Sequence, residues 1–117
     1  MRTIMALIAL VLATVLPGVA NAKDAGNGYV TGFLIIPNGG FYFFTNGTIT
    51  GTTPGCDTGG LPQRWGFDGS TAAGQMMASV ILTAYSTHQL LRVVSSGTCV
   101  SGYNSEAPGL IITNNAQ

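Results

Sequence analysis

The sequence predicts a mainly β domain with a single helix between its third and fourth strands and one disulfide. Three observations carry this expectation. Runs of β-branched and aromatic residues, each of strand length, alternate with Gly/Pro-rich turns on both sides of residues 70–86. That middle stretch alone combines apolar residues at three- and four-residue steps with an absence of proline. Beyond residue 22 the chain holds two cysteines, Cys56 and Cys99, with no CxxC or Cys/His cluster around them.

Taken in order, Arg2 precedes an uncharged apolar run from Ile4 to Leu16, then Pro17-Gly18 and Ala20-Asn21-Ala22. This is the pattern of a secretory signal peptide, residues 1–22, with small residues placing cleavage after Ala22. The run is too short for a comfortable membrane span, and no cysteine follows the cleavage point to carry a lipid. The expected product is a single small domain, residues 23–117, secreted or periplasmic and without a membrane span. It keeps Lys23, Arg64 and Arg92 against Asp24, Asp57, Asp68 and Glu106, an excess of one acid. So charge-poor a chain excludes the electrostatics of nucleic-acid or anionic-membrane binding. The mean hydropathy of +0.40 owes much to the leader segment and carries no membrane meaning.

Lys23 to Gly28 reads as a loose lead-in. Tyr29 to Ile36 and Phe41 to Ile49 read as strands joined through Pro37-Asn38-Gly39-Gly40, a strong turn signal, and should form a hairpin. Near that turn Phe33 to Ile36 and Phe41 to Phe44 are apolar at successive positions, so both faces need cover, from a closing barrel or from a neighbouring subunit. Gly51 to Gln63 is a Gly/Pro/Thr loop holding Cys56, and Arg64 to Phe67 a short strand leading into the helix. Leu90 to Ser96 is a fourth strand, Gly97 to Pro108 a connection holding Cys99, Tyr103 and Glu106, and Gly109 to Thr113 a fifth strand. In an exported chain the cysteine pair predicts a Cys56–Cys99 disulfide. A five-stranded β-β-β-α-β-β order is that of a small OB-like barrel, a partly open Greek key that leaves few bare edges.

Asp68 and Ser70 are both competent N-caps, so the helix should start near Ser70. Ala73, Met76, Met77, Val80, Ile81 and Ala84 form one broad apolar face, with Leu82 and Tyr85 on its flank. The remaining stripe, Gln75, Ser79, Thr83 and Ser86, carries no charge. Either the helix is sunk deep against a sheet, or this stripe faces another subunit.

Catalysis finds little support. No nucleophile elbow, zinc-protease or phosphate-loop motif is present, no metal-spaced cluster stands out, and no cofactor is expected. His88 falls where the helix ends and suits capping. A small hydrolase using Asp57, Asp68 or Glu106 is the weakest of the functional alternatives. Binding suits the composition better. Trp65, Tyr103, Tyr42 and Tyr29 are aromatic candidates for stacking on a sugar face, with Asn104, Ser105 and Thr98 as hydrogen-bonding neighbours. Trp65 serves equally well as a core anchor under the helix, and Tyr103 as a shield over the disulfide.

The residues Arg64, Trp65, Phe67, Asp68, Ser70, Thr71, Ala73, Gly74 and Gln75, followed by Gly97-Thr98-Cys99, resemble a group of small exported bacterial proteins with an RWxFDxSTxAG[KQ] segment. These are mostly of unknown function. More distantly, the strand order, the long helix and the disulfide resemble the B subunits of AB-type bacterial toxins, the subtilase-cytotoxin kind above all. That resemblance implies a glycan-binding protein without enzymatic activity, assembled as a homo-oligomer, a pentamer by preference, with helices lining a central pore. No sugar-contacting motif of those subunits matches residues here, so no ligand residue is carried over. The expectation is an exported binding protein for a glycan or host surface molecule. The alternative is a periplasmic or secreted inhibitor or envelope protein acting through a protein contact.

Overall fold

The computed structural model describes residues 23–113. The expected signal peptide and its cleavage point, residues 1–22, lie outside them. Seven strands and one helix follow one another: β1 (Asp24–Gly28), β2 (Val30–Ile35), β3 (Gly40–Thr45), β4 (Ile49–Thr50), β5 (Arg64–Asp68), α1 (Ala72–Thr87), β6 (Leu91–Ser95) and β7 (Pro108–Thr113). Over the described residues the protein is mainly β with one helix and a Cys56–Cys99 disulfide whose Cα atoms stand 6.0 Å apart. The strands form two sheets, β4-β1-β6-β7 and β2-β3-β5, in place of the partly open five-stranded OB-like barrel expected.

Two local features turn five strands into seven. The expected lead-in is β1, paired antiparallel with both β4 and β6, with Ala25 fully in the core. Its glycines read as loop because they permit a close crossing. A Cβ on Gly47 would collide with the Gly26 carbonyl, and one on Gly28 with the Gly47 backbone. At that crossing the expected strand over 41–49 breaks into β3 and β4. Asn46 clamps the break, its Oδ1 accepting from the Tyr29 N–H at 2.7 Å and its own N–H donating to the Tyr29 carbonyl at 3.1 Å.

The β2–β3 hairpin forms as expected, pairing Ile35 with Phe41 and Phe33 with Phe43 around a turn in which Gly39 takes φ +92°. A positive φ there is open to glycine at little steric cost. The inner faces of the two sheets enclose the core: Phe41, Phe43, Trp65 and Phe67 from one side, and Ala25, Leu91 and Val93 from the other.

The helix begins later than Ser70. Thr71 is the N-cap, its side chain accepting from the Gly74 N–H at 2.9 Å, while Asp68 accepts from the Ser70 N–H and hydroxyl and shapes the preceding turn. Its buried row is narrow: Gly74, Ile81 and Ala84, with Met77, Ala78 and Leu82 partly covered. The broad apolar face is therefore not buried as a whole. Met76 is 73% exposed, Tyr85 46% and Val80 37%. Four aromatic rings already fill the inner face of the three-stranded sheet, leaving one ridge of helix to pack. The expected polar stripe is exposed, and Ser79, Thr83 and Ser86 donate back to the carbonyls of Gln75, Ser79 and Leu82. His88 caps the far end through its backbone, in the left-handed conformation, with its N–H bonded to the Ala84 carbonyl and its ring stacked 3.8 Å from that of Tyr29.

Candidate functional site

The β5 sequence Arg64-Trp65-Gly66-Phe67-Asp68 alternates, so Trp65 and Phe67 point inward while Arg64, Gly66 and Asp68 share the outer face. The β3–β5 register sets Tyr42 opposite Gly66. With no Cβ on Gly66 the Tyr42 ring lies across the strand, since a methyl there would come within 2.7 Å of the ring. Tyr103 closes over the same place from the β6–β7 connection, its ring centroid 5.5 Å from that of Tyr42. A Cβ on Gly40 would meet the Tyr103 ring at 2.7 Å, so a second glycine makes room for the second tyrosine.

Arg64 joins this pair to the connection. Its guanidinium lies 4.9 Å from the Tyr42 ring centroid, Nε donates to the Ser105 hydroxyl at 2.5 Å, and Nη2 donates to Asn104 Oδ1 at 2.8 Å. The cation over a ring face and the two polar bonds hold the guanidinium flat. Burial, then the Asp68 carboxylate and Tyr42, pushes the Tyr103 phenol above its ordinary value. Asp68 is held below the usual carboxylate range by the Ser70 hydroxyl and then the Ser70 N–H.

Of the ligand-binding candidates, Tyr42, Tyr103, Asn104 and Ser105 are thus brought together around Arg64, while Tyr29 stacks on His88. Trp65 is elsewhere. It is wholly buried, and its ring carries the ammonium of Lys23 at 4.5 Å. Alternation within β5 was the signal that separates Trp65 from its neighbours. Arg64 has a weaker signal, as one of four Lys/Arg in the sequence, flanking an aromatic strand.

No protein-family model, curated protein or solved structure matches the chain.

A concave surface lies on the outer face of the four-stranded sheet. It is a groove of about 430 Å³ lined by Asp24, Asn27, Thr48, Thr50, Arg92 and Thr113. Arg92 and Asp24 pair across it in a two-pronged contact, and the pairing raises the Arg92 pKa above its ordinary value. None of these residues stood out in the sequence. Among the described residues no group of three or more His, Cys, Asp or Glu could hold a metal ion, and no helix is long and apolar enough to cross a membrane.

Proposed function

We propose that this is an exported, non-catalytic binding protein, resembling toxin B subunits, that recognises a glycan or glycosylated surface molecule as a homo-oligomer, a pentamer by preference. The observation that carries the reading is the convergence of Tyr42, Tyr103, Arg64 and Asn104 on one sheet face. Sugar recognition needs an apolar ring face beside fixed donors and acceptors, and here the rings, an oriented guanidinium and an amide lie within one patch. The carboxylates are engaged in the protein's own contacts, Asp24 with Arg92, Asp68 with Ser70, and Asp57 and Glu106 with Lys23, which favours binding over turnover.

An OB-like topology is part of this reading. With β1–β2 and β3–β4 each counted as one bent strand, the first pairs with the second and fourth, the second with the third, and the fourth with the fifth. A parallel bridge from Trp65 to Glu106 ties the third strand to the approach of the fifth. Assembly has its own support. Met76, Val80, Leu110, Leu34 and Ile35 are exposed apolar side chains around the helix and on the edge strands β2 and β7, more than a small monomer needs to show.

The test is a glycan array on the oxidised protein, with native mass measured across a dilution series. Retention of a defined glycan, lost in Tyr103→Ala and unchanged in Asn27→Ala, supports the aromatic patch. Retention lost only in Asn27→Ala moves the site to the polar groove. No glycan and a monomeric mass at every concentration remove the reading. The alternative, an inhibitor or envelope protein acting by protein contact, draws on edge strand β2, where Phe33, Leu34 and Ile35 are 39%, 50% and 59% exposed. A strand with free backbone groups and exposed side chains suits pairing with an extended partner segment. Under that alternative, Leu34→Lys abolishes capture of the partner while Tyr103→Ala does not.

A further inference from the structure

Three charged side chains meet in the interior, away from both surfaces described above. Lys23 Nζ stands 3.4 Å from Asp57 Oδ2 and 3.6 Å from Glu106 Oε2, and the side chains of Lys23 and Glu106 are fully buried while that of Asp57 is 3% exposed. The Trp65 ring covers the ammonium on another side. These distances exceed the roughly 2.7–2.9 Å of a charge-assisted hydrogen bond, and Glu106 Oε2 has no hydrogen-bond partner among the described residues. One cation faces two carboxylates in the buried interior, an unfavourable arrangement for a purely ionic cluster. It does, however, hold the Lys23 amine against the Asp57 carboxyl group, whose carbon it would attack, with the Glu106 carboxylate beside both.

We propose that Lys23 and Asp57 condense into an intramolecular isopeptide bond, with Glu106 as the proton relay. Glu106 takes a proton from the Lys23 ammonium and passes it to the Asp57 carboxylate, leaving a free amine beside a carboxylic acid. The Nζ lone pair attacks Asp57 Cγ and the new C–N bond forms. Glu106 then removes a proton from the nitrogen and delivers it to the departing hydroxyl, the C–O bond breaks, and water leaves. Glu106 ends as it began, the ammonium and the Asp57 carboxylate have become a neutral amide and one water, and no oxidant or cofactor is involved.

Each partner is positioned for its role. The Lys23 carbonyl accepts from the Ser95 N–H at 2.9 Å, which fixes the root of the side chain beside β6. Asp57 follows Cys56 directly, so the disulfide anchors its loop, and its Oδ2 accepts from the Glu106 N–H at 3.4 Å. Glu106 is held by the bridge to Trp65 and by the Ser95 hydroxyl on Oε1, which leaves Oε2 free to relay protons. The reaction occurs once per molecule, and it does not depend on what the outer surface binds.

The experiment uses the full chain, exported and purified oxidised, then denatured, disulfide-reduced and weighed. Reading the N-terminus from the same spectra makes the comparison independent of where processing occurs. The wild type is expected one water lighter than its sequence. Chymotrypsin, cutting after aromatic residues such as Tyr29 and Phe41, should leave the piece holding Lys23 joined to the piece holding Asp57. Glu106→Gln and Asp57→Ala, folded by circular dichroism and disulfide-bonded, are expected at full mass. If Glu106→Gln does not fold, Glu106→Asp replaces it and should link slowly or not at all. A wild type at full mass overturns the proposal, and so does a link mapped to Glu106. A fully linked, folded Glu106→Gln overturns the relay.

Discussion

Lys23 and Asp24 are neighbours in the chain, each paired with opposite charge, and the two pairings live in different worlds. Asp24 points to the outer face of the four-stranded sheet and meets Arg92, whose side chain is 47% exposed. Lys23, one residue earlier, turns inward beneath Trp65 to two buried carboxylates. Strand alternation alone sends the two side chains to opposite faces. The outer pair keeps its water and gains little from contact, whereas the inner cluster has given up its hydration and relies on every remaining partner. The difference teaches that in so charge-poor a chain, where a charge lies matters more than whether it is paired.

Removing the cation from the inner cluster should therefore have the largest effect. Against protein in which Lys23 and Asp57 are not yet joined, Lys23→Ala leaves Asp57 and Glu106 buried together without a counter-charge, and breaking a buried pair in this way costs about 3–5 kcal/mol. Denaturant unfolding of the oxidised protein measures it, with the linked fraction of the wild type read by mass, because a bond between the two side chains adds its own stabilisation to the difference. Replacing the cluster as a whole sharpens the comparison. A Lys23→Met, Asp57→Leu, Glu106→Leu triple variant should recover most of the loss, because no unpaired charge remains. A loss below about 1 kcal/mol for Lys23→Ala would put the inner cluster in the class of exposed pairs.

The disulfide comes next, because it holds the inner cluster's loop. Cys56 and Cys99 are 43 residues apart, and Asp57 adjoins the bridge. By the chain-entropy account a closed loop of such length stabilises by roughly 3–4 kcal/mol. Cys56→Ser with Cys99→Ser should lower the denaturant midpoint accordingly, and should do less harm when the three cluster residues are already apolar. Equal losses in both backgrounds would show that the bridge and the cluster act independently.

Arg92→Ala should cost less than about 1 kcal/mol, the usual worth of an exposed ion pair, and the cost should shrink as salt is added. Thermal unfolding at low and high ionic strength checks both statements.

How much of this was legible in the residues follows the same division. The hairpin was, because Pro37-Asn38-Gly39-Gly40 between two aromatic runs is local turn chemistry. So was the disulfide, from cysteine number and context alone. The β1 strand was not, since Asp24-Ala25-Gly26-Asn27-Gly28 has the composition of a loop. Its glycines are there for a crossing with Gly47, a long-range contact that leaves no periodic trace. The helix was legible as a helix but not in its burial. Periodicity marked Met76, Val80 and Tyr85 as apolar, while the number of faces a helix buries depends on how much sheet is left to receive them. Of the surface cluster, Tyr42, Tyr103 and Asn104 could be guessed from residue type, but Arg64 needed the β3–β5 register to join them. The inner cluster was the least legible, because Lys23, Asp57 and Glu106 lie far apart in sequence and only the assembled sheets bring them together.

The smallest expected effect concerns Tyr103, where burial is partial and the charge nearby is Asp68. Its phenol has a folded-state pKa above the unfolded one, because burial and the Asp68 carboxylate both disfavour the phenolate. For an acid shifted in this direction the unfolded chain gives up its proton first as pH rises. The contribution to stability is therefore fully present below the unfolded tyrosine value and is lost as pH rises through the folded value. An ultraviolet titration of the folded protein should contain a tyrosine step above the ordinary range, absent in Tyr103→Phe. Asp68→Asn removes one of the three causes, after burial and beside Tyr42, and should move that step down without abolishing it. If Asp68→Asn leaves the step in place, burial dominates it. The outer cluster would then resemble the inner one more closely than the Asp24–Arg92 pair on the opposite sheet, with desolvation rather than charge deciding what its groups can do.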